Sequence, residues 1–269
     1  MPEPLPDDFR MALATSASRR GRFGASVVFA FETASTNDIA IRMAEQGAPE
    51  GAIALALAQT AGRGRHGREW FSPPGTGLYV SIVCRTPAIL PTLTLAGGVA
   101  VADGITRATG LPVAIKWPND VVVHDTAVPG KRRKLAGILA EGAAGPAGVQ
   151  YVVLGCGINV RPADYPPALA ARVTSIELEL GRTVESPLIL AEVLIALNEQ
   201  ANALSAGKRH EVLARWRALS PSATGTRVEW TAEGTAHLGI TAGIDDDGAL
   251  LVRAGHGLER IIAGEVVWY

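Results

Sequence analysis

The nine residues GRGRHGREW, 62 to 70, hold three arginines and three glycines and close on Trp70. Arginine presents a forked, permanently charged set of donors suited to phosphate or carboxylate. Flanking glycines let backbone N–H groups come close to an anion. Ordering such a loop costs about 1–2 kcal/mol per residue, so only a ligand with several anionic contacts would hold it shut. The plain alternative is a solvated basic loop. The apolar runs on either side, 52–58 and 78–84, and the tryptophan at the far edge favour a site.

Three further stretches carry chemistry. KWPND (116–120) sets an amide and a carboxylate side by side at a strand–turn junction. That pair suits Mg2+, which takes few protein carboxylates and several phosphate or water oxygens. Asn and Asp are also ordinary turn residues; Lys116 tips the reading towards a site. The chain has four lysines (116, 131, 134 and 208) against twenty-one arginines, and three of the four fall within nineteen residues. A compact ammonium aimed at one oxygen is poorly replaced by a planar guanidinium. KLAGILAE (134–141) opens an apolar strand with Lys134, which either snorkels to solvent or stabilises charge on a reacting phosphorus. Gly137 inside that strand marks a bulge or the close approach of a ligand. In GCGINV (155–160), Gly155, Gly157 and Asn159 share one strand face. The two glycines clear either a flat floor for a ring system or room for a backbone crossing.

The sequence holds no Walker A loop and no HExxH, CxxC or GxSxG, and its GxGxxG, GRGRHG at 62–67, leads into no helical pattern as a dinucleotide-binding turn would. Histidines 66, 124, 210, 237 and 256 form no ligand spacing. If the reaction is phosphoryl chemistry on a carboxylic acid, that absence is what the chemistry requires. With a pKa of about 4, the acid is already ionised at pH 7 and attacks an α-phosphate without a general base. It needs charge neutralisation and in-line positioning.

Strands and helices alternate around these stretches. VVFAFET (27–33) reads as a strand, and STND (35–38) as the cap of a helix ending at Gly47. AIALALA and LYVSIVC read as strands, and LTLAGGVAVADGITRATG as a helix closed by Gly110, weakened by Gly97 and Gly98. Four short apolar runs between 112 and 160 fit antiparallel sheet. Two helices follow over 187–218. Beyond Ser220 the texture becomes short strands with Gly and Asp-Gly turns, an all-β module with seven acids against three arginines.

The 269 residues suffice for a large domain plus a small one, and 48% hydrophobic with 19% charged residues is a globular composition. A net charge of −1 gives no bulk attraction to nucleic acid or to a membrane, so neither is expected as a partner. Cys84 and Cys156 sit in apolar runs and read as reduced thiols. The start of the chain lacks the basic and apolar segments of a signal peptide, and no apolar run approaches the ~20 residues of a membrane span. A cytoplasmic location follows.

Taken together, STND, QTAGRGRHGREWFSPPGTGLY, KWPNDV, KLAGILAE, GCGIN and GITAGIDDDGALLV…GEV, in that order over about 27–269, resemble the biotin protein ligases. The resemblance implies an enzyme that makes biotinyl-5′-AMP from biotin and MgATP. It then transfers biotin to one lysine of a biotin carboxyl carrier domain of an acyl-CoA or pyruvate carboxylase. It further implies that Ser35, Thr36 and Gln59 bind biotin, that Gly62, Arg63 and Arg65 close over it and its adenylate, and that Gly137, Gly155 and Gly157 line its floor. Arg68 and Lys116 would meet ATP, Trp70 would pack on the adenine, and Asn159 would lie near the nucleotide. Asn119 and Asp120 would hold nucleotide and Mg2+, with Asp120 as the metal ligand. Lys134 would contact the biotin carboxylate and the α-phosphate. Arg63, Lys134 and Asp120 are the catalytic candidates, and Arg63 is the candidate for retaining the intermediate.

The implied fold is α+β: a class II aminoacyl-tRNA-synthetase-like mixed sheet flanked by helices, with a small C-terminal SH3-like β-barrel. The expected divisions are an N-terminal extension over 1–26, mostly without order, a catalytic biotin- and ATP-binding domain over 27–220, and the SH3-like domain over 221–269. Some members of the family carry an N-terminal winged helix and repress transcription. Fewer than thirty residues precede the first strand here, about half of what such a domain needs, so regulation through DNA is not expected. Two departures stand out: His66 occupies a position where arginine is common, and the stretch between Asp120 and Lys134, with Lys131 inside it, is longer than usual. A lipoate or octanoate ligase on the same core is the nearest rival, although Ser35, Thr36 and Gln59 suit a ureido ring that lipoate lacks. An RNA-binding loop and a non-catalytic biotin-binding module are the others.

Overall fold

The computed structural model describes residues 3–86, 92–124, 132–145, 148–232, 234–255, 257–262, 264 and 266–269. Lys131 and most of the long stretch before Lys134 lie outside the described residues.

The short apolar runs assemble into one sheet. Strands β1 (Val27–Ala30), β2 (Ile53–Ala56), β3 (Gly77–Cys84), β4 (Ala114–Lys116), β5 (Asp120–His124), β6 (Arg132–Gly145) and β7 (Gly148–Asn159) take the order β1-β2-β3-β7-β6-β5-β4. The β1–β2 pair is parallel, joined through helix α3 (Thr36–Glu45), and the other neighbours are antiparallel. The expected antiparallel run over 112–160 is therefore present. All eight residues of β3 are buried, as a strand covered on both faces requires.

Helices α4 (Leu93–Thr109) and α7 (Ser186–Ser205) pack against each other, with α8 (Arg209–Leu219) alongside. Glycines weaken a helix by propensity, yet those of α4 serve packing. A Cβ at Gly104 would sit 2.7 Å from the Val193 backbone, and one at Gly97 3.0 Å from Leu154 of β7. Close helix–helix and helix–sheet approach outweighs the propensity cost.

Within the segment expected to be mostly without order, the described residues 3–26 include two helices. Residues Asp7–Thr15 form helix α1 and Ala17–Arg20 form α2. Phe9 and Leu13, four residues apart on one helix face, are buried together with Phe23. Arg20 is 8% exposed and donates from Nε to the Leu13 carbonyl at 3.0 Å and from Nη1 to the Phe23 carbonyl at 2.8 Å. Prolines and acids at the start of the chain masked that apolar pair. Two short helices, α5 (Pro167–Ala170) and α6 (Ile176–Leu180), are further elements that periodicity did not single out.

A 3-10 turn (Pro221–Ala223) leads into the C-terminal strands β8 (Thr224–Ala232), β9 (Thr235–Ile244), β10 (Leu250–Ala254), β11 (Gly257–Ile261) and β12 (Val266–Trp268). They form an antiparallel sheet in the order β11-β10-β9-β8-β12. The DDDG turn is closed by Asp245 Oδ1, which accepts from the N–H groups of Asp247 and Ala249, both at 2.9 Å. Its Gly248 carbonyl accepts the Trp117 indole N–H at 3.0 Å, fastening the small sheet to the KWPND turn. At this level the α+β expectation is met: a mixed sheet with flanking helices, followed by a C-terminal antiparallel sheet. No helix among the described residues is long and apolar enough to cross a membrane.

Candidate active site

One cavity of about 630 Å³ gathers the residues singled out from sequence. Ser35, Thr36, Gln59, Arg63, Arg65, Arg68, Trp70, Lys116, Asn119, Asp120, Lys134, Gly137, Gly155, Gly157 and Asn159 all line it. Gly62 lies just behind the wall, where a Cβ would come within 2.5 Å of the Trp70 carbonyl oxygen and 2.9 Å of Gln59 Nε2.

The floor follows from strand register. Antiparallel pairing puts Gly137 of β6 directly across from Gly157 of β7. A Cβ on Gly137 would lie 2.8 Å from Trp70 Cζ3, and one on Gly157 2.5 Å from Trp70 Nε1, so the indole rests on this pair. Gly155, two residues along the same face, is covered by the Asn37 side chain. The β5–β6 register shifts between Val121 and Val122, where Leu135 is the extra residue, so Gly137 itself pairs regularly with Asp120 and its close neighbour is the Trp70 indole.

A polar network walls one end. The Thr36 N–H and Oγ1 both donate to Gln59 Oε1, at 2.8 and 3.1 Å, and Gln59 Nε2 donates to Ser72 Oγ at 3.1 Å. Ser35 occupies the cap position of α3 without a side-chain capping bond, so Gln59, reaching across from the other side, satisfies the helix end. This corrects the expectation that STND caps its own helix. Ser81 Oγ lies 2.7 Å from Thr36 Oγ1 and 2.5 Å from Asn37 Oδ1, and the Asn37 amide donates to Glu141. Asn37 and Glu141 stand inside quoted motifs but were not singled out. Ser81 left a legible signal, a hydroxyl in a fully buried apolar strand that must find a partner.

The other end is charged. Lys134 Nζ lies 2.6 Å from Asp120 Oδ1 and 4.9 Å from the Trp70 ring centre. The Lys134 backbone is clamped on both sides, its N–H donating to the Arg172 carbonyl (2.7 Å) and its carbonyl accepting from Thr174 (2.9 Å). Asn119 donates from Nδ2 to the Ile138 carbonyl (2.8 Å) and accepts from Arg65 Nη1 at 3.3 Å. Burial lowers the Arg65 pKa, Asp120 opposes that effect, and Arg68 adds to it. Arg63 lines the cavity, but its Nη2 sits 2.8 Å from Asp38 and 3.2 Å from Glu141, away from the KWPND turn's carboxylate. Asn159 is buried and its amide donates to the Thr174 carbonyl at 3.0 Å, which makes it part of the wall.

The arginine loop closes on itself. Arg63 bridges Glu69, the Gly64 N–H donates to the Arg68 carbonyl (2.7 Å), and the Trp70 N–H donates to the Gly62 carbonyl (2.8 Å). His66 takes a left-handed φ of 57°, a turn conformation uncommon outside glycine. A part of the site that sequence reading missed comes from the far end of the chain: Gly264, Val266, Val267 and Trp268 reach the same cavity. Among the described residues no group of three or more His, Cys, Asp and Glu could hold a metal. Asp120 beside Asn119 is a donor set of the sparse kind that Mg2+ accepts when phosphate and water oxygens supply the rest.

The cavity thus has a floor of glycines bare of side chains, a hydrogen-bonding network at one end and the Lys134–Asp120 pair with Arg65 and Asn119 at the other. The sequence model of the biotin/lipoate A/B protein ligase family matches residues 28–159, and that of the biotin protein ligase C-terminal domain matches residues 225–268. A bifunctional ligase/repressor BirA of Bacillus subtilis is 31% identical over 248 residues, 90% of this chain and 74% of that protein. The biotin–[acetyl-CoA-carboxylase] ligase of Mycobacterium tuberculosis is 34% identical over 245 residues, 88% of this chain and 86% of that one. Among solved structures, a biotin protein ligase from Aquifex aeolicus in complex with biotin and ATP superposes with a TM-score of 0.77. It is 26% identical, and the match covers 91% of this chain and 99% of that one. The chain belongs to the biotin protein ligase family.

Proposed function

We propose that the protein joins biotin to a carrier protein in two steps. In the first, a biotin carboxylate oxygen attacks the α-phosphorus of ATP. The bond from that phosphorus to the β-phosphate bridge breaks, leaving biotinyl-5′-AMP and pyrophosphate. In the second, the ε-amine of an acceptor lysine attacks the acyl carbon, AMP departs, and the amine proton passes to solvent. The acceptor on this reading is a biotin carboxyl carrier domain of a carboxylase, and the location is the cytoplasm.

The observation that carries the reading is the order of groups along one cavity. Thr36, Gln59 and the Ser81–Asn37 pair suit a ureido ring that both donates and accepts. The Gly137–Gly157 floor suits a flat bicycle, and the Lys134–Asp120 pair stands where the carboxylate would meet phosphate. Lys134 holds charge at the attacking and α-phosphate oxygens, a form of stabilisation that grows as the transition state develops. Asp120 with Asn119 would hold Mg2+, which when bound neutralises phosphate charge. Arg65, tied to Asn119, faces the nucleotide end and takes the retaining role first given to Arg63. Arg63 anchors the loop base through Asp38 and Glu141. Trp70 rests on the glycine floor here and would leave it for the adenine as ligands enter. The finer fold on this reading is a class II synthetase-like core over 27–220 with an SH3-like barrel over 221–269.

Pyrophosphate–ATP exchange with Mg2+ tests the proposal, comparing biotin, lipoate, octanoate and no acid. Exchange with biotin alone supports it. Exchange with lipoate or octanoate moves the substrate, and no exchange with any acid sinks the adenylation step.

A further inference from the structure

The chain leaves the large sheet after Asn159 and comes back to it at Lys134. The last β6–β7 pair at this end joins Ala136 to Ile158. Two residues beyond, Val173 takes the place of β7 and lies beside Lys134 in a parallel bridge. The Lys134 N–H donates to the Arg172 carbonyl at 2.7 Å, and the Lys134 carbonyl accepts from the Thr174 N–H at 2.9 Å. On the other side of β6 the ladder to β5 is interrupted next to Lys134, since Leu135 falls between the Ala136–Val121 and Lys134–Val122 pairs without a partner. A bulge disrupts the ladder locally, so the two bonds to residues 172–174 carry the placement of Lys134. The same segment holds Asn159, whose amide donates to the Thr174 carbonyl at 3.0 Å.

Burial does not hold this segment by itself. Arg172 is exposed and Val173 half-buried, and only Thr174 is buried. The Thr174 hydroxyl donates to the Glu179 carboxylate of α6, five residues on. Glu179 is 11% exposed and also receives the guanidinium of Arg133, the residue before Lys134, at 3.0 Å. One carboxylate therefore grips both sides of the joint, β6 through Arg133 and the returning segment through Thr174. Glu179, Thr174 and Arg133 do not line the cavity. Their route to the reacting groups runs through Lys134 and Asn159.

We propose that Glu179, acting through Thr174, is the positioning residue that sets Lys134 against the reacting carboxylate and the α-phosphate. The Lys134 ammonium sits on a flexible stem, 2.6 Å from Asp120 in the empty site. Transferring it to phosphoryl oxygens requires a fixed backbone, because a long stem magnifies any tilt at its root. A misplacement of about 1 Å costs about 10²-fold in rate. The inference rests on the ligase reading for what Lys134 acts upon, while the clamp itself concerns the lysine's backbone alone.

Two measurements on the full chain test it. Native-state amide hydrogen exchange by NMR reads the clamp without any activity. In Thr174→Val and in Glu179→Ala the Lys134 N–H should exchange about tenfold faster or more. The Ile138 N–H of the same strand, bonded to the Asn119 carbonyl at 2.9 Å, should keep its protection. Pyrophosphate–ATP exchange reads the consequence. In both variants kcat should fall about tenfold, with KM for biotin and for ATP within about threefold of wild type. Glu179→Gln, which still offers Thr174 an acceptor, should recover most of the loss. Lys134→Gln separates positioning from general damage: adding Glu179→Ala to it should cost less than about twofold more, because the clamp then has no ammonium to place. The proposal is refuted if the Lys134 amide is no better protected in the wild type than in Glu179→Ala. It is equally refuted if protection falls along all of β6, or if the losses of Glu179→Ala and Lys134→Gln multiply. Absence of biotin-dependent exchange in the wild type would count against the ligase reading, and amide exchange would still decide the clamp.

Discussion

A methyl group on the glycine floor separates ligand binding from stability. In Gly157→Ala the new Cβ would lie 2.5 Å from Trp70 Nε1 and 2.6 Å from Trp70 Cε2, where ordinary contact needs about 3.5–4.0 Å. The indole must therefore retreat by about 1 Å. The base of its loop is held by the Trp70–Gly62 and Gly64–Arg68 backbone bonds, so the ring moves by turning its side-chain torsions, at about 0.5–1.5 kcal/mol. Losing the Lys134 contact, 4.9 Å from the ring centre, adds about 0.5–1 kcal/mol. A total of about 1–2.5 kcal/mol lowers Tm by about 2–10 °C. The effect on biotin is larger in kind. A flat ligand lifted off the floor loses contact below it and good geometry to the Thr36–Gln59 end. Two compromised hydrogen bonds with lost dispersion come to about 2–3 kcal/mol, or about 30–150-fold in Kd. Calorimetric titration with biotin and thermal unfolding, run on the same preparation, read both quantities. A Tm that falls as expected with biotin Kd within threefold of wild type would mean that the glycines only seat Trp70, and the floor assignment would be lost.

Asp120→Ala should lower pyrophosphate–ATP exchange by about 10²–10³-fold and leave biotin binding intact, since the carboxylate stands at the charged end beside Lys134; loss of biotin binding as well would show a structural role instead. Arg65→Gly removes the side chain tied to Asn119, and the expected result is continued exchange with biotinyl-AMP escaping into the filtrate after rapid ultrafiltration, an outcome that Arg63→Gly should produce less if Arg63 is the anchor. Both cysteines are free and buried, and burial raises the Cys84 thiol and pushes Cys156 up to about 12. Since the thiolate is the reactive form, iodoacetamide should label neither in the folded protein between pH 7 and 9 and both in denaturant, as intact-mass spectrometry would record. Phe9→Ala should cost about 3–5 kcal/mol by opening a cavity beneath α1, read as a drop in denaturation midpoint; a change under 0.5 kcal/mol would return the N-terminal segment to the status of an unpacked extension.

Local chemistry made much of this protein legible from its residues alone. The turn and strand signals located β3 to β7, because runs such as LYVSIVC and YVVLGCGINV have few other ways to bury themselves. The site residues were legible as types: a scarce lysine, glycines on one strand face, a carboxylate beside an amide. Their partners were not. That Gly137 lies across from Gly157 is a matter of register, and that Gln59 rather than Ser35 satisfies the end of α3 is a matter of which loop passes over which helix. Arg63 and Arg65 are two residues apart with the same chemistry, yet one meets Asp38 and Glu141 and the other meets Asn119. Trp268 is the extreme case, 152 positions from Lys116 (268 minus 116) and held near it by the docking of the small sheet through Trp117 and Gly248. Sequence carries the chemistry of each group, because that resides in the side chain. Tertiary structure alone decides which groups meet, because pairing depends on strand register and domain docking, which are set by the burial of the whole core at once.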